Sequence, residues 1–241
     1  MSDDLVLNVT DLHAGYGRAE VLHGLNLRAA KGSVVTVIGP NGAGKSTLLN
    51  ALMGERIDSL PSRQIAKRGV SRTFQHVKMI AGMTVLENVA LGAHLRGSRG
   101  VGSAMLRLDR GEERQLLKEA EKQLRRIGMS DRMHELAGNL ALGPQRLMEI
   151  ARALCADPTL LLLDEPAAGL RLKEKQGLAD VLRQLRGEGL SILLVEHDMD
   201  LVMGLVDRVV VMEFGTKLIE GTPEQVQASP AVRAAYLGTE H

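Results

Sequence analysis

The 241-residue chain carries 30 Lys and Arg against 29 Asp and Glu, a net charge of +1, so no global field would hold it to nucleic acid or to an anionic membrane surface. Its longest apolar runs, such as Leu160 to Leu163 and Val209 to Met212, are far short of the ~20 residues that cross a bilayer. No secretory signal is recognised at the first residues, and a single Cys155 excludes an internal disulfide, so the expected compartment is the cytosol.

The length suffices for one large α/β domain with an inserted subdomain, or for two small domains. Leu5 to Val9 alternates apolar and polar positions and predicts a strand. Gly15-Tyr16-Gly17 follows as a turn that presents an aromatic ring; with no Trp and only Tyr16, Tyr236, Phe74 and Phe214 in the chain, Tyr16 is the candidate to stack on a cofactor. Val21 to Ala29 predicts a second strand, and Lys31-Gly32 turns the chain into the apolar run Val34 to Ile38. The next nine residues read Gly39-Pro40-Asn41-Gly42-Ala43-Gly44-Lys45-Ser46-Thr47, which fits the phosphate-binding pattern G-x-x-x-x-G-K-[ST]. An apolar-periodic segment, Leu48 to Met53, gives the loop the strand-turn-helix setting the motif needs. Glycines let the backbone approach phosphate oxygens, and the N–H groups opening the helix point at the anion. By position, Lys45 reaches the β/γ-phosphates and Ser46 binds Mg²⁺.

Pro61 to Lys67 predicts a short helix closed by Gly69, and Val70 to Phe74 a strand leading to Gln75. Helical signals then dominate. Thr84 with Glu87 forms a capping box ahead of an apolar face running to Leu95; Gly97 to Ser103 is a linker; Glu112 to Ile127 is a charged amphipathic helix ended by Gly128. A short helix starts at Ser130 or Asp131, Gly138 to Pro144 interrupts the pattern, and Gln145 to Ala156 is helical until Asp157-Pro158 stops it. Cys155, in that apolar helix, reads as a packed core thiol rather than a nucleophile. Residues 76–144 are thus expected to form a helical subdomain inserted within a single domain, 1–241.

Leu160 to Asp164 is an apolar strand ending in Asp164 and Glu165; Lys173 to Glu188 is a helix; Ser191 to Glu196 is a second apolar strand ending at His197. This alternation implies a parallel sheet whose carboxyl-end loops collect the chemistry. Val209 to Met212 and Lys217 to Glu220 form a hairpin around Gly215, and Thr222-Pro223 with Gln225 opens a terminal helical segment. In Leu160-Leu161-Leu162-Leu163-Asp164-Glu165-Pro166, Asp164 would hold Mg²⁺ and Glu165 would act as general base toward an attacking water. Gln75 could contact metal and water, and His197 could reach the γ-phosphate, although a lone His at a strand end is more often structural.

In this order, Tyr16, Gly39 to Thr47, Gln75, Leu140 to Gln145, Asp164-Glu165 and His197 resemble the ATP-binding subunits of ABC transporters over essentially the whole chain. Arg72-Thr73-Phe74-Gln75, Gly82-Met83-Thr84-Val85-Leu86-Glu87-Asn88-Val89, Glu149-Ile150-Ala151-Arg152-Ala153-Leu154, Glu196-His197-Asp198-Met199 and Ala235-Tyr236-Leu237-Gly238 are similar to the branched-chain amino-acid importer subfamily. The resemblance implies an α/β P-loop NTPase fold of ABC ATPase type: a mostly parallel core sheet, an N-terminal antiparallel β lobe and the inserted helical subdomain. It implies ATP hydrolysis with Mg²⁺ held by Ser46, Gln75 and Asp164, and Lys45, Gln75, Glu165 and His197 in catalysis. Nucleotide would be held by Tyr16, Gly39 to Thr47, Gln75 and His197 of one subunit and by the signature Leu140, Ala141, Leu142 and Gly143 of a second, in a homodimer or heterodimer. Further implied partners are integral membrane permease subunits and, indirectly, a solute-binding protein, with the chain peripheral on the inner face of the cell membrane. The apolar strip Val77, Met79, Ile80 and Met83 would either receive a membrane subunit's helix or pack the insertion.

Three departures stand out. Where the family usually has Leu-Ser-Gly-Gly-Gln, this chain has Leu140-Ala141-Leu142-Gly143-Pro144 followed by Gln145; Ala141 lacks the hydroxyl that would bind γ-phosphate, and Pro144 lacks a backbone donor, though proline suits the first position of a helix. Arg171 stands where the family has aspartate or asparagine. Gly54 runs into Glu55 where relatives have a further stretch containing a strand, read as an omission from the sequence rather than a short loop. Alternatives to an amino-acid importer are an exporter, an amide or urea importer, or a weakly hydrolysing regulatory ABC protein. A role on ribosomes or DNA would call for paired ATPase domains or basic extensions, which 241 residues at net +1 do not fit.

Overall fold

The computed structural model describes residues 4–53, 69–73, 79–93 and 110–237. Strands β1 (Leu5–Tyr16) and β2 (Ala19–Ala30) form an antiparallel two-stranded sheet, paired from Leu5↔Ala30 to Tyr16↔Ala19. The ladder runs past the expected turn at Gly15-Tyr16-Gly17, because Gly15 and Tyr16 pair with Glu20 and Ala19; the reversal falls on Gly17 and Arg18, with Gly17 at φ 63°. A side chain at position 15 would place its Cβ 2.0 Å from the Ala19 carbonyl oxygen, so the close approach requires glycine.

The second sheet has the order β4-β5-β6-β3-β7-β8: β4 (Val70–Arg72), β5 (Leu160–Asp164), β6 (Ser191–Val195), β3 (Val34–Ile38), β7 (Arg208–Glu213) and β8 (Thr216–Gly221). All neighbours pair in parallel except β7 and β8, the expected hairpin, which turns through Phe214 and Gly215, both at positive φ. Strand alternation divides the core. Val34, Ile38, Leu161, Leu163, Ile192, Leu194, Val209 and Val211 pack with the larger helical cluster, whereas Val35, Val37, Leu160, Leu162, Leu193, Val195, Val210 and Met212 pack with residues of β2 and α1 (Lys45–Leu52). Burial on both faces explains why these strands read as continuous apolar runs. β4 stops at Arg72, short of the predicted Phe74, because its ladder with β5 covers only Val70 to Arg72.

Between β4 and β5 lie α2 (Val85–Ala93), α3 (Arg110–Arg126), single 3₁₀ turns at Ser130–Arg132 and Ala137–Asn139, and α4 (Leu142–Leu154). The Thr84 capping box forms: Glu87 accepts from the Thr84 N–H at 2.7 Å, and the Thr84 hydroxyl accepts from the Glu87 N–H at 3.2 Å. Gly128, at φ 75°, follows α3 as anticipated. α4 begins at Leu142, earlier than the predicted Gln145, because Pro144 sits in the first helical turn, where backbone N–H groups have no intrahelical acceptor. α2 crosses α4 closely, since a Cβ on Gly92 would lie 2.0 Å from the Arg152 carbonyl oxygen. After β5 come α5 (Leu172–Gly187) and α6 (Met199–Met203), the latter too short to be seen by periodicity. α7 (Pro223–Ala228), capped by Thr222 and Gln225 as expected, and α8 (Pro230–Leu237) finish the chain. Among the described residues no helix is long and apolar enough to cross a membrane. The helix predicted at 61–67, the linker at 97–103 and the Gly54–Glu55 junction lie outside the described residues.

Candidate nucleotide site

β3 is buried along its whole length and delivers the chain to Gly39 at the carboxyl edge of the parallel sheet. A Cβ on Gly39 would meet the Met212 carbonyl oxygen at 2.3 Å, and one on Gly44 would meet Leu22 at 2.8 Å, so neighbouring strands press on the loop from outside. Gly42 has open space at its Cβ position. The loop is pinned by Ala43 N–H to Pro40 O at 3.2 Å and by Gly215 N–H to Ala43 O at 3.1 Å. α1 then starts at Lys45 with no side-chain cap, leaving its first N–H groups facing the loop. Lys45 folds over this cradle: its ammonium donates to Gly39 O at 2.7 Å and Pro40 O at 3.0 Å. Burial depresses the Lys45 pKa, and the nearby Glu165 and Asp164 carboxylates oppose that shift, so both lie within electrostatic reach of the loop. Ser46 is exposed and Thr47 buried. A bare helix start, an ammonium over glycines and a free hydroxyl fit a polyphosphate; the carboxylate of Asp164 with the Ser46 hydroxyl fits a hard, oxygen-seeking cation such as Mg²⁺.

Asp164 and Glu165 occupy the end of β5, two strands from β3. Asp164 is buried and pairs with Arg72, the last residue of β4, at 2.9 Å. Glu165 adopts φ 46° and donates its N–H to Val195 O at 2.9 Å, so the chain turns sharply off the strand at the residue assigned as base. The neighbouring β6 ends at Val195, one residue short of the expected Glu196, which follows it directly and has no role in the motif reading. Its carboxylate accepts from Ala167 N–H at 2.8 Å and from His197 N–H at 3.2 Å. Burial raises the Glu196 pKa, and those backbone N–H groups together with His197 resist the rise. Asp198 caps α6 by accepting from Leu201 N–H at 3.1 Å and pairs with Lys175, so exposed His197 stands between two anchored carboxylates.

Tyr16, 52% exposed, accepts from the Asn50 side-chain amide at 3.0 Å; Asn50 in turn accepts from Arg72 at 2.7 Å. A string of side chains therefore joins the aromatic residue to Asp164. No sequence signal marks Asn50, and Arg72 appears only as part of a subfamily string. Gln75, like Phe74 and Val77, lies outside the described residues. Of the expected apolar strip, Met79 packs against the core and Ile80 is exposed, with its backbone clasped by buried Asn88 at 2.8 and 3.0 Å.

The signature segment opens α4 and packs on the loop and helix that follow Glu165. Ala141 is the N-cap of α4 and makes no side-chain cap bond. Gly143 abuts Glu174 of α5, where a Cβ would meet a carboxylate oxygen at 2.8 Å, and Leu142 lies against Gly169. Gln145 donates to Leu140 O at 2.8 Å, tying the segment to itself. Arg171, the N-cap of α5, donates its N–H to Glu174 at 2.9 Å.

A family model described as "ABC transporter" matches residues 22–168, more than half of the chain. The chain belongs to the ABC transporter family. A second model, "Branched-chain amino acid ATP-binding cassette transporter", matches residues 217–241 of this ABC ATPase. It is 41% identical over 249 residues to the high-affinity branched-chain amino acid transport ATP-binding protein LivG of Escherichia coli (strain K12), covering 97% of this chain and 98% of that one. It is 40% identical to BraF of Pseudomonas aeruginosa, with the same coverage. Among solved structures, the ADP conformation of an ATP-binding cassette of an ABC transporter superposes with a TM-score of 0.86 at 29% identity, covering 97% of this chain and 99% of that one. A nucleotide-free cassette matches with a TM-score of 0.84 at 28% identity, covering 96% and 98%. The ABC ATPase thus binds nucleotide and serves as the ATP-hydrolysing subunit of a transporter complex.

Proposed function

We propose that this chain powers an importer of branched-chain or other small amino acids, as one of two ATPase subunits docked on membrane permease subunits at the inner face of the cell membrane. The observation that supports it most is the convergence of Lys45, Asp164, Glu165 and His197 at one edge of the sheet in a chain that matches LivG over nearly its full length. In this reading residues 1–241 are one ABC ATPase domain and 76–144 its helical insertion, whose Met79–Ile80 segment meets the permease.

Each ATP lies between two copies or two related chains. Tyr16 stacks on adenine, and the N–H groups of Gly39 to Thr47 and the Lys45 ammonium hold the phosphates. Ser46, Asp164 and Gln75 hold Mg²⁺, which supplies charge neutralisation on the phosphate oxygens. Leu140, Ala141, Leu142 and Gly143 of the second subunit close over the γ-phosphate with the positive end of the α4 dipole. Glu165 removes a proton from the attacking water, while His197, steadied by Glu196 and Asp198, contacts the γ-phosphate. The missing hydroxyl at Ala141 favours, as a second reading, a weakly hydrolysing regulatory subunit.

The test is co-purification with the permease subunits, followed by measurement of which solute-loaded binding protein stimulates ATP turnover. Stimulation by a leucine-loaded protein is the expected result. Stimulation only by an amide- or urea-loaded protein would reassign the substrate, and export of solute from loaded vesicles would overturn the importer reading.

A further inference from the structure

The pairing between Arg72 and Asp164 has a meaning that the family motifs do not assign. Both side chains are nearly excluded from solvent, at 7% and 5% exposure, and the guanidinium lies 2.9 Å from the carboxylate. A carboxylate this buried needs a cation beside it. In the proposed function, on which this inference rests, the same carboxylate faces a divalent cation that arrives with nucleotide. Two cations then compete for one anion, and like charges at such separation repel strongly where water is scarce.

The guanidinium is held on its other side as well. It donates to the Asn50 side-chain oxygen at 2.7 Å, and Asn50 donates to the Tyr16 hydroxyl at 3.0 Å. Asn50 belongs to α1, the helix that begins in the phosphate loop; Arg72 closes β4 and Asp164 closes β5. The planar fork of Arg72 therefore spans from the strand carrying the metal carboxylate to the helix carrying the phosphate loop.

We propose that Arg72 is the resident counter-ion of Asp164 in the nucleotide-free protein, that it yields this carboxylate to Mg²⁺ when Mg·ATP binds, and that Asn50 transmits the exchange to Tyr16. Arg72 is a positioning residue in this scheme. It sets how readily the cation enters, keeps Asp164 from standing uncompensated between turnovers, and links the adenine end of the site to the metal end.

The experiment titrates Mg²⁺ against the full-length protein at saturating fluorescent ATP analogue, and follows thermal melting with and without Mg·ATP or ATP plus chelator. In Arg72→Gln the half-saturating Mg²⁺ concentration is expected to fall by roughly tenfold, the scale of one hydrogen bond to a charged group. Its nucleotide-free Tm drops, and Mg·ATP restores it, while ATP with chelator does not. Arg72→Lys, which keeps the charge but not the fork that reaches Asn50, is expected to fall between the wild type and Arg72→Gln in Mg²⁺ requirement. Should Arg72→Gln fail to fold, Asn50→Ala, which removes the acceptor orienting the guanidinium together with the donor to Tyr16, shifts Mg²⁺ half-saturation in the same direction by roughly threefold. An unchanged Mg²⁺ requirement in the folded variant, with wild-type protein binding Mg·ATP normally, overturns the counter-ion role. A wild-type protein that binds no Mg·ATP overturns the functional reading beneath it.

Discussion

Glu196 ties Ala167 to the segment that leaves β6 and carries His197: its carboxylate accepts from the Ala167 N–H at 2.8 Å, across 29 positions of sequence, and from the His197 N–H at 3.2 Å. The loop leaving Asp164-Glu165 and the backbone presenting His197 therefore share one buried anion. Glu196→Gln keeps the shape but offers one acceptor oxygen where the carboxylate has two. A buried N–H left without a partner costs about 1–3 kcal/mol, so the variant should melt several degrees lower and hydrolyse ATP more slowly, with nucleotide affinity less affected. Calorimetry and steady-state kinetics check both.

The same residue gives the protein a pH signature. Burial raises the folded-state pKa of Glu196 above its ordinary value of 4.5. A carboxyl whose pKa is raised on folding binds more protons in the native than in the unfolded state. Its contribution to stability is thus fully present below pH 4.5 and is lost as pH rises through the folded pKa. Glu20, Glu87, Glu188, Glu220 and Glu224 shift downward and act in the opposite sense, so the wild-type profile alone mixes the two. Subtracting the Glu196→Gln profile isolates the contribution of Glu196: the wild type should lose ground relative to the variant as pH is raised from 4.5 toward neutrality. A difference that grows in the other direction contradicts it.

Lys45 tests the phosphate loop. Its ammonium is spent on Gly39 O and Pro40 O, bonds that nucleotide phosphates would replace. Lys45→Ala removes a charged donor worth roughly 1.5–3 kcal/mol, so ATP should bind tenfold to a hundredfold more weakly and turnover should fall to background. Isothermal titration and phosphate release measure the two effects, and a normal hydrolysis rate would sink the ATPase assignment of this site.

Much of this arrangement can be read before folding, and the boundary has a physical cause. β3, β5 and β6 announce themselves because both faces of each are covered, and the two capping boxes at Thr84 and Thr222 announce their helices because reciprocal bonding needs particular residues at fixed spacing. α6 gives no periodic signal over five residues, although Asp198 three positions before Leu201 is a capping pattern. The Arg72–Asp164 pair spans 92 positions and the Glu196–Ala167 bond 29, and no local pattern reports which distant side chains the parallel order β4-β5-β6-β3 brings together. The supports of the site were hidden for that reason, while its phosphate loop was plain.

Glu165 is the residue on which hydrolysis turns in the proposed mechanism. Glu165→Gln retains the backbone bond to Val195 O, so the left-handed turn at this position should survive. General-base removal typically costs about 10²–10⁴ in rate, and the variant should accumulate as an ATP-bound dimer seen by size-exclusion chromatography. Unchanged turnover would reject Glu165 as the base.

Ala141 offers a gain-of-function test. As N-cap of α4 it makes no side-chain bond, and serine is among the residues that cap helices best. Ala141→Ser adds a hydroxyl that can cap α4 in the isolated subunit and face the partner's γ-phosphate on closure. The two roles separate by concentration dependence. Capping alone raises the Tm of the monomer with or without ATP, by an amount on the order of 1 kcal/mol of stability. A γ-phosphate contact instead tightens ATP-dependent dimerisation of the Glu165→Gln background by roughly tenfold, the scale of one charged hydrogen bond. The expected outcome is the second effect, because Ala141 stands in the signature segment that the proposed function sets against the partner's γ-phosphate. A higher monomer Tm with no change in dimer affinity would remove position 141 from the shared site.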